Sequence, residues 1–185
     1  MGLLLKYIKG KSMEILKGKN IFLRALEPED IDYLFSTENN EDFWEISNTS
    51  RPFSKHTLSK YLENSHLDIY QINQLRLVIS DYENTSIGLI DLFDVDFKNL
   101  KAGVGILINK NNRDKGYAKE ALKMLIEYGF KYLNLHQLYC NIIEDNKPSI
   151  SLFKSLGFIE VGLKKDWVYF KGEYKNEYLF QLICT

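Results

Sequence analysis

Three residues around a strand-to-helix turn have the types and spacing of an anion-binding site. Arg113, Gly116 and Ala118 form R-x-x-G-x-A. They lie between a strand-like run at 104–108 and the start of a predicted helix. A helix N-terminus presents unpaired backbone N–H groups and a partial positive charge, so it suits a phosphate or pyrophosphate. Gly116 lets the backbone turn sharply, and Arg113 and Lys115 add positive charge. An ordinary solvated basic turn fits the same residues.

A second motif, N-x-x-S-x-x-L-F-x-x-x-G-F, runs from Asn146 to Phe158. Asn146 is well placed as an N-cap, and Pro148 falls in the first turn, where its missing N–H does no harm. Gly157 ends the helix in the C-cap manner. The apolar residues of the segment, Phe153 among them, also predict an amphipathic helix that packs on the core. Both interpretations hold together, because a helix packs on one side and contacts a ligand with its first turn.

Composition excludes several function classes. The chain has 185 residues, 45% of them hydrophobic, which predicts one domain with a sizeable core. With 24 basic and 25 acidic residues the net charge is −1, so no bulk basic field favours nucleic acid. No apolar run approaches the ~20 residues that a membrane-spanning helix needs. Cys140 and Cys184 have neither metal-site nor disulfide-framework spacing, so we expect no metal, free buried thiols and a cytoplasmic protein.

The first twelve residues are short and poorly organised for a secretory signal, which also requires a small-residue cleavage site. We expect residues 1–12 to be an extension outside the fold and residues 13–185 to form a single domain.

Hydrophobic periodicity predicts the elements that position the motifs. The predicted order is β-α-α-β-β-β-α-β-α-β-β, which is a mixed α/β sheet. A closing hairpin is expected across 171–173. The segment 39–53 is predicted to be polar and irregular, with the apolar residues Phe43, Trp44 and Ile46. We interpret it as part of a substrate mouth rather than a plain anchored loop, because long loops often carry function.

The two motifs, in this order, resemble the GCN5-related N-acetyltransferase superfamily. The segments 132–139 and 170–174 are similar to the branch that holds spermidine acetyltransferases and ribosomal-protein N-terminal acetyltransferases. The resemblance covers the chain from about Asn20 to its C-terminus. It implies the acyl-CoA N-acyltransferase fold, a mixed, mostly antiparallel central sheet with splayed central strands, flanked by helices. It also implies acetyl-CoA as co-substrate, with the pantetheine arm between the two central strands where they splay apart.

By the same resemblance, the cofactor is held by the central strand, the turn and the second motif. The backbone groups implied to pair with the pantetheine like a neighbouring strand are those of Ile106, Leu107 and Ile108. The residues implied to hold the cofactor from the turn and the first helical turn are Arg113, Asp114, Lys115, Gly116, Tyr117, Ala118 and Lys119. The residues implied to lie beside the pantetheine from the second motif are Asn146, Ser149 and Phe153.

The proton donor to the departing thiolate is where the chain departs from the family pattern. Many members place a tyrosine where this chain has Phe153, and phenylalanine cannot donate a proton. Ser149 is one alternative, because a serine at this place has that role in ribosomal-protein acetyltransferases. Tyr139, Tyr169 or a water are others. An unassisted thiolate is a further one, since a thiol pKa of ~8.5 makes it a fair leaving group. We favour Ser149 or water.

The sequence also leaves the identity of the general base open. Members of the polyamine branch commonly have an acidic residue at the start of the central strand. This chain has Gly103 at that position, which weakens the case for a polycationic substrate. The carboxylates near the expected cleft are Asp91, Asp94, Asp96 and Glu144, and each also fits an ordinary solvated strand end. We favour Asp91, because a carboxylate in mid-strand needs a reason. Its expected role is to bind an ammonium group or pass its proton to water.

These features predict an acetyl-CoA-dependent N-acetyltransferase that acts by direct transfer in a ternary complex. The expected acceptor is a primary amine, either a small polyamine-like molecule or a protein N-terminus. The alternative is a catalytically impaired acyl-CoA-binding regulatory module that kept the cofactor cleft and lost its acid with Phe153. The resemblance also suggests a homodimer.

Overall fold

A computed structural model describes residues 14–47, 49–64 and 67–185. The extension expected at 1–12 lies outside these described residues. The described chain forms two units. The first contains the residues up to Ala25, 73–139 and 182–185, and the second contains 26–72 and 140–181. The single domain expected over 13–185 stays a prediction.

The described residues form strands, helices and two short 3-10 turns. The strands are β1 (Ile21–Ala25), β2 (Leu75–Asp81), β3 (Ser86–Asp96), β4 (Lys101–Ile108), β5 (Gln137–Ile143), β6 (Ile159–Phe170) and β7 (Glu173–Ile183). The helices are α1 (Ile31–Glu38), α2 (Glu41–Ser47), α3 (Lys55–Glu63), α4 (Ile69–Ile72), α5 (Tyr117–Lys131) and α6 (Lys147–Lys154). The 3-10 turns are Pro28–Asp30 and Lys110–Asn112.

The strands of the first unit are hydrogen-bonded in the order β1-β2-β3-β4-β5. Neighbours from β1 to β4 are antiparallel, whereas β5 runs parallel to β4. Helix α5 packs on β1, β3 and β4. Its buried residues include Ala121, Leu122 and Leu125, whose helical spacing makes one apolar face. Burial of this face fixes the direction in which the start of α5 points.

The second unit contains the remainder of β5 and the hairpin predicted across 171–173. β6 pairs with β7 in antiparallel register down to Phe170 and Glu173. The two residues between them, Lys171 and Gly172, have φ of +48° and +94°, as a tight turn requires. The predicted hairpin is therefore confirmed.

The segment 39–53 of the second unit differs from its prediction, because it contains the helix α2. Asn40 Oδ1 accepts a backbone N–H from the first turn at 3.0 Å. Phe43 is buried, and Trp44 donates from Nε1 to Glu38 O at 2.9 Å. Seven residues are too few to display a helical period in the sequence. The prediction of a wholly irregular segment was wrong.

The predicted fold class is confirmed. Both units are built on strands that are mostly antiparallel, with one parallel pair between β4 and β5, and each unit contains helices beside its strands. In the part of the chain that the structure describes, no helix is long and apolar enough to cross a membrane.

Candidate functional site

The C-terminal half of β4 extends beyond its pairing with β5. On one side, β3 pairs along β4 as far as Ile108. On the other side, the described ladder with β5 ends at the pair Gly103–Tyr139. The predicted pantetheine residues Ile106 and Leu107, with Ile108, lie past that point and are half-buried. A strand edge of this kind offers backbone N–H and C=O groups to an extended ligand.

The turn between β4 and α5 carries the predicted diphosphate residues. Asp114 and Gly116 both have positive φ, +61° and +83°. This left-handed conformation suits glycine, whereas an aspartate adopts it at a cost. Arg113 donates from Nε to Ile108 O at 3.2 Å, and Lys115 Nζ donates to a side-chain oxygen of the same turn at 3.3 Å. The turn therefore holds two cations beside the end of β4.

The first turn of α5 has no side-chain cap, because its N-cap residue is Gly116. The first bond of the helical ladder runs from Glu120 N–H to Gly116 O at 3.1 Å. The backbone N–H groups of Tyr117, Ala118 and Lys119 thus lie where a helix N-terminus binds anions. The structure brings this turn and the end of β4 together as predicted; their contact with a cofactor stays a prediction.

The start of α6 is organised by Asn146. Its Oδ1 accepts the backbone N–H of Ser149 at 3.2 Å, and Pro148 lies in the first turn. The predicted N-cap is therefore confirmed. The Ser149 side chain is half-buried, and its hydroxyl takes no part in this cap. The roles of Asn146 and Ser149 toward a cofactor stay predictions.

Phe153 packs inside the second unit. Its residue is 3% exposed, and its ring meets that of Phe158 edge to face, with the centroids 5.0 Å apart. Such pairs add about 0.5–1.5 kcal/mol to the burial of apolar area. The interpretation of this helix as a packed amphipathic element is confirmed, whereas the pantetheine contact of Phe153 stays a prediction.

Asp91 forms an ion pair with Arg76 across β2 and β3. Arg76 Nε lies 2.5 Å from Asp91 Oδ1, and Nη2 lies 3.5 Å from Oδ2. The side chains are 23% and 15% exposed for Arg76 and Asp91 respectively. The mid-strand carboxylate thus has a structural partner, and its role as base or ammonium ligand stays a prediction.

The three other carboxylates predicted near the cleft have different surroundings. Asp96 accepts hydrogen bonds from the Asn99 side chain at 2.6 Å and backbone N–H at 2.9 Å, and these lower the pKa of Asp96. Glu144 accepts two from Asn176, at 3.1 and 3.0 Å. Asp94 is exposed, with φ of +47°, at a register shift of β3. Asp96 and Glu144 therefore both accept hydrogen bonds with a structural role, Asp96 within its own turn and Glu144 from β7.

The sequence offers two tyrosines, Tyr139 and Tyr169, as alternative proton donors. The ring of Tyr139 meets Phe93 edge to face, with the centroids 6.0 Å apart. Burial and the charge of Asp94 raise the pKa of Tyr139, which makes its phenol a weaker acid than an exposed tyrosine. Tyr169 is exposed and packs on Tyr174 across the hairpin, with the centroids 5.0 Å apart.

Sequence reasoning missed two cations that organise these surroundings. Arg76 neutralises Asp91. The only sequence feature that could have indicated this role is that Arg76 is a charged residue inside an otherwise apolar strand. Lys175 Nζ lies 2.6 Å from Glu45 Oε1 and 2.9 Å from Asp145 Oδ2, and these partners raise the pKa of Lys175. It connects α2 to the residue before the N-cap of α6. The described residues hold no group of three or more His, Cys, Asp or Glu that could bind a metal ion.

Comparison with known proteins identifies the family. The acetyltransferase (GNAT) domain matches residues 20–159. The spermidine N(1)-acetyltransferase of Vibrio cholerae is 27% identical over 86% of this chain and 90% of its own length. The N-acetyltransferase p20 of Bacillus licheniformis is 30% identical over 92% of this chain and 97% of its own length. The crystal structure of the V. cholerae spermidine N-acetyltransferase with CoA and spermine has a TM-score of 0.82 at 25% identity, covering 90% of this chain and 96% of that chain.

A ribosomal N-acetyltransferase-like protein of Bacillus subtilis also matches, so the predicted resemblance to both kinds of enzyme is confirmed. Enzymes of this family use acetyl-CoA as acetyl donor. The matched range contains both sequence motifs, at 113–118 and 146–158. The chain therefore belongs to the GNAT acetyltransferase family and is an N-acetyltransferase.

Proposed function

We propose that this enzyme moves the acetyl group of acetyl-CoA to a primary amine by direct transfer. The observation that carries the proposal lies within the first unit: the end of β4, past its last pair with β5, leads through a positive-φ turn into the uncapped start of α5. The strand edge supports pairing of 106–108 with the pantetheine amides. The turn and the N–H groups of 117–119 support binding of the diphosphate. The CoA complex of the V. cholerae relative supports the same ligand.

In the proposed reaction, the amine nitrogen attacks the thioester carbonyl carbon. The C–N bond forms, the C–S bond breaks, the amine loses one proton and the thiolate of CoA gains one. Backbone N–H groups of β4 stabilise the oxyanion, and one such donor is typically worth about 3–4 kcal/mol in the transition state. Ser149 or a water donates to the thiolate. Asp91 binds the ammonium group or passes its proton to water.

The proposal is tested by thiol release from acetyl-CoA with a panel of amines. The panel holds spermidine, a peptide with a free N-terminus and a simple monoamine. We expect release that depends on the amine, together with calorimetric binding of CoA. Failure of the purified protein to bind either CoA or acetyl-CoA contradicts the proposal, whatever amine is offered.

A catalytically impaired acyl-CoA-binding module is the second candidate, and one observation favours it. The position of the usual tyrosine is held by Phe153, which is packed on Phe158 and has no hydroxyl. This candidate predicts tight binding of CoA with no thiol release for any amine. Release with even one amine excludes it.

The acceptor remains within two proposed classes, a small polyamine-like amine and a protein N-terminus. The spermidine enzymes among the relatives support the first, and the ribosomal N-acetyltransferase-like relative supports the second. The ratio of kcat/KM for spermidine and for the N-terminal peptide separates them.

We further propose that the enzyme self-associates, at least as a homodimer, and acts in the cytoplasm. A dodecameric structure of the V. cholerae spermidine enzyme supports assembly from copies of one chain. The hairpin of β6 and β7 supports it as well, since it exposes Trp167, Tyr169 and Tyr174. Cys140 is buried as expected, whereas the expected burial of Cys184 was wrong, because Cys184 is exposed. Both thiols are free, which supports a reducing compartment. Sedimentation of the wild type beside Trp167→Ser tests the assembly, and a lighter variant is expected.

A further inference from the structure

The turn from Asn109 to Gly116, called the diphosphate turn below, is anchored at its first residue. The backbone N–H of Asn109 donates to Ile87 O at 2.9 Å, and its side-chain Nδ2 donates to Ser86 O at 3.0 Å. Both acceptors lie at the start of β3. The first residue of the turn is therefore bonded twice to a neighbouring strand of the same unit.

The Asn109 side chain does not cap the turn that follows it. An asparagine just before a helical turn commonly caps that turn with its side-chain oxygen. Asn109 precedes the 3-10 turn Lys110–Asn112, yet its side chain makes no cap hydrogen bond there. Its φ of −55° and ψ of 140° are open to most residue types. The amide donor of Asn109 thus reaches back to β3 instead of serving the turn ahead of it.

The part of β3 that accepts these bonds is itself fixed by its neighbours. Ser86 Oγ accepts a hydrogen bond from Arg24 Nη2 at 3.2 Å. Arg24 Nε also donates to the buried Ser80 Oγ at 3.0 Å. Gly88, two residues along β3, lies so close to β4 that a Cβ there would clash with Leu107 O. The start of β3 is therefore held by β1 and β2 on one side and by β4 on the other.

From Asn109 the hydrogen bonds continue along the diphosphate turn. Asn109 O accepts the backbone N–H of Asn112 at 2.8 Å, and Asn112 Oδ1 accepts from Lys115 Nζ at 3.3 Å. Lys115 directly precedes Gly116, the N-cap residue of α5. The placement of the proposed diphosphate ligands, Lys115 and the N–H groups of 117–119, therefore depends on the anchor at Asn109.

We propose that Asn109 is a positioning residue for the coenzyme. Its amide, bonded to Ser86 O, sets where the diphosphate turn begins, and the turn then presents its N–H groups and cations to the diphosphate. The inference rests on the proposed function, because it needs a diphosphate bound at this turn. The pantetheine edge at 106–108 is held separately, by the ladder of β3 and β4 that reaches Gly88 and Ile108. Loss of the amide therefore weakens contacts to the diphosphate and leaves those to the pantetheine in place.

The test is Asn109→Leu, which keeps the branched shape of the side chain and removes its N–H donor. Calorimetry with CoA is expected to give a dissociation constant about fivefold larger than that of the wild type, the usual effect of one net hydrogen bond. The KM for acetyl-CoA is expected to rise likewise, with a smaller change in kcat at saturating acetyl-CoA. Asn109→Ala is expected to behave in the same way, because the donor and not the volume carries the effect.

Asn64→Leu is the matched control. Asn64 Nδ2 also donates to a backbone carbonyl, Lys60 O, at 3.0 Å, but it does so at the end of α3 in the second unit. We expect this variant to keep the CoA dissociation constant of the wild type, whatever the lost hydrogen bond costs in the temperature of unfolding.

A second acetyl donor separates positioning of the turn from a general loss of structure. S-Acetylpantetheine lacks the diphosphate and the nucleotide but keeps the part that is proposed to pair with 106–108. We expect kcat/KM for this donor to be unchanged in Asn109→Leu, whereas kcat/KM for acetyl-CoA falls about fivefold. An equal fall with both donors indicates a general structural role and overturns the inference.

Equal CoA affinity of the wild type, Asn109→Leu and Asn109→Ala, all folded, overturns the inference as well. Failure of the wild type itself to bind CoA defeats the proposed function instead, so the two failures are distinguishable.

Discussion

Glu120, in the first turn of α5, accepts hydrogen bonds from both the backbone N–H of Asn20 at 2.8 Å and its side-chain amide at 2.9 Å. Burial raises the pKa of Glu120, but the hydrogen bonds from Asn20 outweigh it, so the net pKa lies below its ordinary value of 4.5. The residue just before β1 is thus tied to the helix whose first turn is proposed to hold the diphosphate. This contact fixes the orientation of that helix start by a charge-assisted pair.

Replacing Glu120 by Gln should lower the free energy of unfolding by about 0.5–1 kcal/mol at neutral pH, because one of the two charge-assisted bonds is lost at a half-buried site. Since the folded pKa is depressed, the contribution of Glu120 is fully present above the ordinary pKa and is lost as the pH falls through the folded value. Urea titrations at neutral pH and well below pH 4.5 measure this difference.

The control for Glu120→Gln is Glu127→Gln on the same helix, where the carboxylate forms an exposed i,i+4 pair with Lys131. We expect a smaller effect there. A Glu120→Gln difference that stays equal at both pH values contradicts the assignment of the stabilisation to the ionised carboxylate.

Asp114 lies in the turn with a φ of +61°, and its exposed carboxylate stands among cations proposed to bind a diphosphate. Asp114→Gly should raise the free energy of unfolding by about 0.5–1 kcal/mol, because glycine adopts this conformation without strain. It should also tighten CoA binding by several-fold, since the repulsive side-chain charge is removed while the backbone N–H of residue 114, the group of this residue that could hold a diphosphate, is kept. Calorimetry with CoA and chemical unfolding test the two effects separately.

Asp114→Asn separates charge from strain. Asparagine tolerates the left-handed region about as well as aspartate, so this variant is expected to tighten CoA binding without raising stability. Equal CoA affinity in all three proteins, at low salt, contradicts a diphosphate bound at this turn.

The elements around the proposed cofactor site could be predicted from the sequence, because each is indicated by residues close together in the chain. Asn146 and Pro148 mark the start of α6 by types that a helix N-terminus favours, and the Gly116 position follows from the abrupt change between an apolar strand and a helical period. The partner of Asp91 was not readable, because Arg76 is fifteen residues away and meets it through the register of β2 and β3. Helix α2 could not be predicted for another reason. Phe43 is its one buried residue, so the sequence shows no repeated apolar spacing there.

Ser149→Ala tests the proposed proton donor. If Ser149 donates to the thiolate, kcat should fall by about 10²–10⁴ with little change in CoA affinity. Stability should change little, because the Asn146 cap bonds the backbone N–H of Ser149 and not its hydroxyl. Asn146→Ala is the structural counterpart, since loss of the cap should cost about 1 kcal/mol of unfolding free energy. A turnover unchanged in Ser149→Ala assigns the proton to water or to another group.

Lys175 forms ion pairs with Glu45 and Asp145. Removal of its charge should therefore lower the free energy of unfolding. Lys175→Met leaves the Glu45 carboxylate, 26% exposed, without its cation, so we expect a loss of about 1 kcal/mol in unfolding free energy. The double variant Lys175→Met/Glu45→Gln should lose less than the sum of the single variants, because the unpaired charge is then absent. A urea double-mutant cycle measures the coupling.

The sign of the pH dependence gives this prediction a second readout. The partners of Lys175 raise its pKa above the ordinary 10.5, so its contribution is fully present below that value and is lost as the pH rises through the folded pKa. The stability gap between wild type and Lys175→Met should therefore close only in strong alkali. Lys55→Met, which removes a cation from an exposed pair with Asp32, should show almost no gap at any pH. Strict additivity of Lys175→Met and Glu45→Gln is the result that contradicts a coupled pair, because two residues in contact cannot then be stabilising each other.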